Sequence, residues 1–371
     1  MNIFVFSPKL LVFISMVILF SGRHSNDKKL ESALELAGDN RAELEKVLDH
    51  YSQNPADSLK LEAAQFLIEN MRWHYSQQVK PSEKFWELLQ YEEPIVLRRI
   101  RNMEDDQILA DFDAYKYGLK KELVWDAIND TEIGKEYRPD LHTLDAAFLI
   151  DNIDMAFQVK EHDWCKDLSF EEFCEYVLPY RFNNEPVYMK RERIYNHFKP
   201  FFYADSLEND PVETISWFNP FLKNFWWDWF DDTPMPNLGF YNIFYCNFPH
   251  SVCSQQLVVE GAILRSGGMP LTEIFTPYIR EANRGHSWCG LVRHDEVPDL
   301  FHAIYNAPGE VSLTHTPFTA TKLYQKTFSV QPESPVFLKA ENENLPGGSY
   351  SSPCIKDVTG DYVPVRNVEL E

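Results

Sequence analysis

Two side chains in the C-terminal half of the chain, Cys253 and His286, have the types and surroundings needed for nucleophilic chemistry. The residues after Pro249 predict a helix that starts near Ser251, whose hydroxyl can accept a main-chain N–H as an N-cap. Cys253 would then lie in the first turn, where the positive end of the helix dipole favours the thiolate, the nucleophilic form of cysteine. We therefore expect Cys253 to be the nucleophile of any thiol chemistry in this chain.

The elements after Cys253 are predicted to bring a histidine towards it. The helix should end at Gly267-Gly268, because glycine readily adopts a left-handed turn, and a strand should follow over Leu271–Thr276. The next strand begins near Gly285 and places His286 at its start, where the imidazole can face the thiol. A Cys–His pair removes the proton from sulfur and forms an acyl-enzyme. One cysteine and one histidine alone are weak evidence, because both residue types are often structural.

A third polar group normally orients the imidazole of such a pair from the neighbouring strand. If Arg293–Glu296 form the turn of a hairpin, His286 lies opposite residues 301–305, and this window contains no carboxylate. Asp299 and Asn306 flank the window, and an amide can orient an imidazole as a carboxylate does. Asp299 and Asn306 are therefore the candidates for the third position.

The spacing of several residues resembles that of the bacterial transglutaminase-like superfamily. The matching positions are Cys253, Leu264-Arg265, Gly268, Pro270 and Gly285-His286-Ser287-Trp288. Longer segments look like exported, Bacteroides-type members of that superfamily: 241–244, 275–277, 322–328, and the helical stretches 34–75 and 169–180.

That resemblance implies a papain-like domain in which a cysteine-bearing helix packs on an antiparallel sheet that supplies a histidine and an acid. It makes Cys253 the nucleophile and His286 the base. Its acid would fall close to His302, where this chain has no carboxylate, and its members commonly carry glycine at the position of Ser251.

The predicted fold class is α+β, a mainly helical N-terminal region followed by a papain/transglutaminase-like domain with an antiparallel sheet. Helical spacing of apolar residues before about residue 200 and short β-branched or aromatic runs after Pro270 support this order. We expect a signal or anchor segment over 1–25, a helical region over 26–165, the transglutaminase-like domain over 166–340 and a tail over 341–371. The tail, with a strand over 362–368, looks like the start of a truncated β-domain.

Composition narrows the range of functions. The 371 residues include 35 Lys and Arg and 57 Asp and Glu, which gives a formal net charge of −22. This negative charge repels phosphate backbones and excludes nucleic acid as a partner. The six cysteines show no zinc-site spacing, so we expect neither a metal nor another cofactor. Apolar residues make up 44% of the chain, enough for a large core.

The N-terminus resembles an export signal. Lys9 precedes the apolar run Leu10–Phe20 and the small pair Ser21-Gly22. Arg23 follows where a lipoprotein would carry cysteine, so lipidation there is excluded, and it also makes a poor cleavage site. We expect an exported protein, periplasmic or anchored at the cell envelope, with membrane association through this segment.

The stretch Ile215–Phe230 is unusually rich in aromatic residues. Such rings could form a stacking platform for sugars, but rings at helical spacing more often fill a core, and we favour the core interpretation.

Two functions remain open. The first is a cell-envelope cysteine enzyme, a peptidase or amide acyltransferase, that acts on peptide or isopeptide amides of a peptide or protein substrate through Cys253. The alternative is a catalytically degenerate relative with a binding or structural role, because the third residue of the site is not evident.

Overall fold

The computed structural model describes residues 28–80, 82–84, 132–185, 187, 190–202, 210–226, 253–280, 283–313, 322–345 and 348–365. Within these ranges the protein is a mixture of helices and antiparallel sheets, as the predicted α+β class requires.

Within the described ranges, the N-terminal part contains four helices: α1 over 28–36, α2 over Arg41–Ser52, α3 over Ser58–Met71 and α4 over Ala146–Val159. The Asp145 carboxylate accepts the main-chain N–H of Phe148 at 2.8 Å and so caps α4. Helix α2 buries Leu44, Val47 and Tyr51, one apolar stripe at helical spacing. The helices predicted from this spacing are confirmed.

Three further helices of the described residues precede the main sheet: α5 over Phe170–Tyr176, α6 over Arg191–Phe202 and α7 over Pro211–Trp226. A capping box starts α5, since the side chains of Ser169 and Glu172 each accept the other residue's main-chain N–H.

A two-stranded ribbon interrupts the region that was predicted to be helical. Strand β1, Tyr75–Lys80, pairs antiparallel with β2, Glu132–Pro139. Both strands are rich in Gln, Lys and Glu, and a ribbon of two strands need not bury one face, so the alternating pattern that identifies a strand is weak here.

Helix α8, Cys253–Ser266, starts the part of the fold that carries the candidate site. It ends in a Schellman motif: Gly268 has φ +90°, its N–H donates to Arg265 O, and the N–H of Met269 donates to Leu264 O. Strand β3, Leu271–Ile279, follows and pairs with β4, Arg284–Leu291. The predicted order of helix, glycine turn and two strands is confirmed.

The main sheet has five strands in the order β5-β4-β3-β6-β7, each pair antiparallel. The remaining strands are short: β5 over Asp299–Phe301, β6 over Tyr324–Lys326 and β7 over Ile355–Asp357. One face packs against α8 and contributes Cys289, Leu291 and Phe301 to the main core. The other face carries a second apolar cluster around Ile274, Trp288 and Leu300.

The main core joins the two halves of the chain, because one cluster of buried apolar side chains runs from Ala33 to Phe328. This core contains residues from both sides of the predicted domain boundary between residues 165 and 166. The aromatic stretch on α7 contributes to it: Ile215 and Phe218 are buried, and the ring of Phe218 lies 5.0 Å from that of Phe201. Trp227 and the rest of the aromatic stretch beyond it lie outside the described residues.

The C-terminal segment differs from its prediction. Residues 355–357 form β7, an edge strand of the main sheet, because their apolar Ile355 is buried against β6. The strand predicted over 362–368 is wrong at its start, since Thr359–Tyr362 form one helical turn, and residues 366–371 lie outside the described part.

Across the described ranges no helix has the length and apolar character to span a bilayer. The predicted signal or anchor over residues 1–25 lies outside those ranges.

Candidate functional site

Cys253 lies at the start of α8 and is half-buried, whereas the other described cysteines, Cys165, Cys174, Cys289 and Cys354, are buried. Burial raises the pKa of the Cys253 thiol, and hydrogen bonds from the main-chain N–H groups of Ser287 and Ser254 oppose that effect without cancelling it. The prediction that the helix start would favour the thiolate omitted this burial. At neutral pH Cys253 is a thiol.

His286 lies near the start of β4, as predicted, and its ring is held by two aromatic neighbours. Its Nε2 lies 3.2 Å from Nδ1 of His302, and its ring meets the indole of Trp288 edge to face at 4.7 Å between centroids. Burial, followed by the charges of His302 and Arg284, lowers the pKa of His286 to about 4. His286 is therefore a neutral imidazole at pH 7.

Cys253 and His286 line the same cleft, which has a volume of about 960 Å³. The sulfur is directed towards the main chain of Ser287, the next residue along β4. By strand alternation Ser287 shares the α8 side of the sheet with Cys289, whereas His286 shares the opposite side with Trp288. Among the described residues no hydrogen bond joins the Cys253 thiol to the His286 ring, so the structure makes the two residues neighbours in one cleft without a direct contact.

The two candidates for the third position have other partners. The Asp299 carboxylate forms an ion pair with Arg293 at 2.9 Å. The Asn306 side-chain amide donates to Glu310 at 3.3 Å, and its main-chain carbonyl accepts from Asn219. The structure brings neither side chain into hydrogen-bonding contact with His286.

His302 occupies the place that the third residue was expected to fill. The register of β4 and β5 pairs Cys289 with Phe301, and His302 comes directly after Phe301. The predicted window of residues 301–305 contains His302, but the prediction for the third position was limited to carboxylates and amides. Hairpin register alone could have identified it.

A polar cluster missed in the sequence lies beside the sulfur on the α8 side of the sheet. Glu273, only 3% exposed, accepts hydrogen bonds from Ser287 Oγ at 2.7 Å and Asn183 Nδ2 at 3.1 Å. Lys326 forms an ion pair with it at 2.7 Å. Because Ser287 also contacts Cys253 through its main chain, this cluster fixes the strand segment on which the thiol rests.

Arg265, one of the positions that carried the family resemblance, holds the end of α8 in place. Its guanidinium is buried, donates to the carbonyls of Arg181 and Leu271, and lies 4.5 Å from the centroid of the Phe182 ring. These contacts join the helix to β3, which places Arg265 in the scaffold of the site.

One exposed group of described side chains has the geometry of a metal site: Glu172, His294 and Asp295. Glu172 and His294 already form an ion pair at 2.7 Å, and Glu172 also caps α5. These contacts account for the group without a metal.

Chemically, the cleft presents a neutral thiol, a neutral imidazole with one nitrogen in contact with a second imidazole, and an ion pair between the buried Glu273 and the half-buried Lys326. No family model, curated protein or solved structure matches this chain.

Proposed function

We propose that the cleft is a cysteine acyl-transfer site of transglutaminase-like type that acts on peptide or isopeptide amides. Cys253 is the nucleophile, His286 is the general base, and His302 orients the imidazole in place of an acid. The observation that carries this proposal is the 3.2 Å contact between His286 Nε2 and His302 Nδ1 in the cleft that Cys253 also lines.

We assign the base role to Nδ1 of His286, because Nε2 is the nitrogen that contacts His302. When His302 Nδ1 accepts a hydrogen bond from the protonated Nε2 of His286, the lone pair of His286 Nδ1 is free to take up a proton. In the described residues no hydrogen bond occupies that Nδ1. Because the thiol and the imidazole are both neutral at rest, the thiol proton transfers to the imidazole during attack. No thiolate–imidazolium pair forms before the substrate reacts.

The reaction then runs in two steps. The Cys253 proton moves to His286 Nδ1 while sulfur attacks the amide carbonyl; the amine leaves with that proton, and a thioester remains. Water or a second amine then resolves the thioester. Attack requires a side-chain movement that brings thiol and imidazole within hydrogen-bonding reach, and contacts of this kind tighten when substrate binds.

The experiment is a comparison of alkylation rates. Purified protein is treated with iodoacetamide at several pH values, and each cysteine is quantified by mass spectrometry. Since Cys253 is more exposed than the other described cysteines, its faster labelling alone decides nothing. We expect His286→Asn to lower the Cys253 rate at least several-fold and to leave the other cysteines unchanged. Equal Cys253 rates with and without His286 would remove the proposal.

A second function, a degenerate relative that binds a protein or peptide without chemistry, is favoured by the raised pKa of the Cys253 thiol and the absence of a carboxylate at position 302. Loss of an orienting acid can reduce the rate by orders of magnitude while geometry is kept. Turnover of a peptide library that disappears in Cys253→Ala would exclude this second function.

Export to the cell envelope belongs to the same proposal and rests on the apolar run Leu10–Phe20 after Lys9. Fractionation of cells that express the full chain tests it, and a protein found only in the cytoplasm would contradict it.

A further inference from the structure

A small cavity of about 40 Å³ lies apart from Cys253 and His286, where α4, α6 and the end of α8 meet. Its polar lining residues include three arginines, Arg181, Arg191 and Arg265, together with Asn152 and Glu185. Arg181 is neutralised by Asp140, with Nη2 to Oδ1 at 2.6 Å and Nε to Oδ2 at 3.0 Å. The charges of the other two arginines need a separate explanation.

Arg191 and Arg265 bind main-chain carbonyls and form no ion pair with a described carboxylate. Arg191 Nη2 donates to Val177 O at 2.6 Å and to Pro179 O at 2.9 Å. Arg265 donates to two carbonyls through its Nη atoms. Carbonyl oxygens satisfy hydrogen bonds but supply no full negative charge, and the charge of Asp151 offsets only part of the positive charge of Arg191 in this buried site.

Three buried polar atoms in the walls of this cavity have no hydrogen-bond partner: Arg191 Nη1, Arg265 Nε and Asn152 Oδ1. Arg191 and Arg265 are each 7% exposed and Asn152 is 1% exposed. An unsatisfied buried donor on a charged group is costly, and native proteins rarely leave one. Two such donors and one acceptor around one cavity indicate a bound species that the protein itself does not supply.

Glu185 also lines the cavity, and its carboxylate could compete with an anion for these donors. Its carboxylate accepts the main-chain N–H groups of Phe182 and Asn183, which fixes it on the 182–185 turn. Its charge offsets part of the positive charge of Arg265. The donors Arg191 Nη1 and Arg265 Nε remain unpartnered in its presence.

We propose that this cavity binds a small inorganic anion of chloride size, held by Arg191 Nη1 and Arg265 Nε. A water molecule needs about 10–15 Å³ by the same measure of volume, so the cavity has room for one halide and one water. The water donates one proton to Asn152 Oδ1 and the other to the anion, which satisfies all three atoms. This site does not depend on the proposed acyl transfer.

The location gives the anion a structural role. Arg265 ends the helix that begins with Cys253, and it also lines the large cleft. An anion at Arg265 joins α6 to the end of α8 and stabilises the native state by an amount that grows with the logarithm of its concentration once that concentration exceeds its Kd.

Thermal unfolding of the full protein in sodium chloride and sodium gluconate at equal ionic strength tests the site. We expect the Tm of the wild type to rise by several degrees with chloride, roughly linearly with the logarithm of chloride concentration. Arg191→Met, which keeps the aliphatic part of the side chain and removes the guanidinium, should lose that rise, whereas Lys199→Met, which removes an exposed cation from the same helix, should keep it. A chloride effect of equal size in all three proteins would overturn the proposal.

A crystal grown in sodium bromide gives an answer even if Arg191→Met does not fold. We expect an anomalous bromide peak in the cavity, in contact with Arg191 Nη1 and Arg265 Nε. Water alone at that position, with no anomalous signal, would overturn the proposal.

Discussion

At position 302 a second imidazole contacts His286 where a carboxylate would stabilise the imidazolium as well as orient the ring. A neutral histidine can accept a hydrogen bond but supplies no negative charge. Burial lowers the pKa of His302 as well, so both rings are neutral at pH 7 and neither opposes the other. The His286–His302 contact can therefore orient the His286 ring, but it does not stabilise the imidazolium form of His286 electrostatically.

Replacing His302 with aspartate should restore that stabilisation. In His302→Asp the carboxylate next to His286 Nε2 should raise the pKa of His286 from about 4 towards the range of free histidine, because an opposite charge favours the protonated ring. We expect the iodoacetamide rate of Cys253 at pH 7 to rise on the order of tenfold, as thiolate paired with imidazolium becomes accessible. Histidine titration by NMR measures the pKa directly.

The matched control is His302→Asn, which can accept the same hydrogen bond without charge. If aspartate and asparagine gave equal rates and equal His286 pKa values, charge at position 302 would have no influence on the site.

Among the elements, α8 supports the His302 loop as well as Cys253. Glu260, two turns after Cys253 on the same helix face, is fully buried, and its Oε2 accepts the main-chain N–H of Ile304 at 2.6 Å. Ile304 has φ +62°, a left-handed conformation that a β-branched residue adopts only under constraint. The helix therefore holds the strained residue that follows His302.

Glu260 should make the stability of the protein depend on pH. Burial raises the pKa of Glu260 from about 4.5 to about 8, so the folded state keeps the proton while the unfolded state loses it above about pH 4.5. Stability is therefore lost as pH rises from about 4.5 to 8. Glu260→Gln removes this loss and keeps an acceptor for Ile304, so we expect little change at pH 5 and stabilisation on the order of 2 kcal/mol at pH 8. Urea denaturation at both pH values measures the difference.

Glu333→Gln, at an exposed position, serves as the control for the loss of one carboxylate. An effect of Glu260→Gln that was the same at pH 5 and pH 8 would show that Glu260 ionises in the folded protein as it does in the unfolded chain.

The turn after α8 also positions the candidate site, because it sets the direction of β3. Gly268 has φ +90°, and a Cβ there would lie 2.9 Å from the main-chain oxygen of Val159 on α4. Gly38 also has positive φ, +57°, but a Cβ there meets nothing within 4 Å. We expect Gly268→Ala to reduce the free energy of unfolding by about 2–4 kcal/mol and Gly38→Ala by about 1 kcal/mol. Equal losses at both positions would show that the contact with Val159 is relieved without cost.

For the molecule as a whole, the sequence predicted local order better than contacts between distant segments. The order of α8, the glycine turn, β3 and β4 followed from helical spacing, glycine and alternation, all of which are local. The β1–β2 ribbon joins residues 75–80 to residues 132–139, and β7 joins the sheet through β6, so neither pairing has a local signal. Burial is a property of the whole fold, which is why the raised pKa of Cys253 could not be read from its place at a helix start.

His74 is one of these long-range contacts, and it should contribute to acid sensitivity. It follows α3, its Nε2 bonds to the carbonyl of Phe328 at 2.8 Å, and its ring stacks on the Phe328 ring at 4.1 Å between centroids. Burial lowers the pKa of His74 to about 4, so protons bind the unfolded chain first, and stability falls as pH drops from about 6.5 towards 4. His74→Gln keeps a donor for Phe328 and should reduce the loss of stability between pH 7 and pH 5 by about 1 kcal/mol.

His142, which bonds to the carbonyl of Leu36 at 2.9 Å in an exposed position, provides the matched variant His142→Gln. Urea denaturation at pH 7 and pH 5 should separate the two variants, and an identical pH dependence in both would mean that the His74 ring titrates as it does in water.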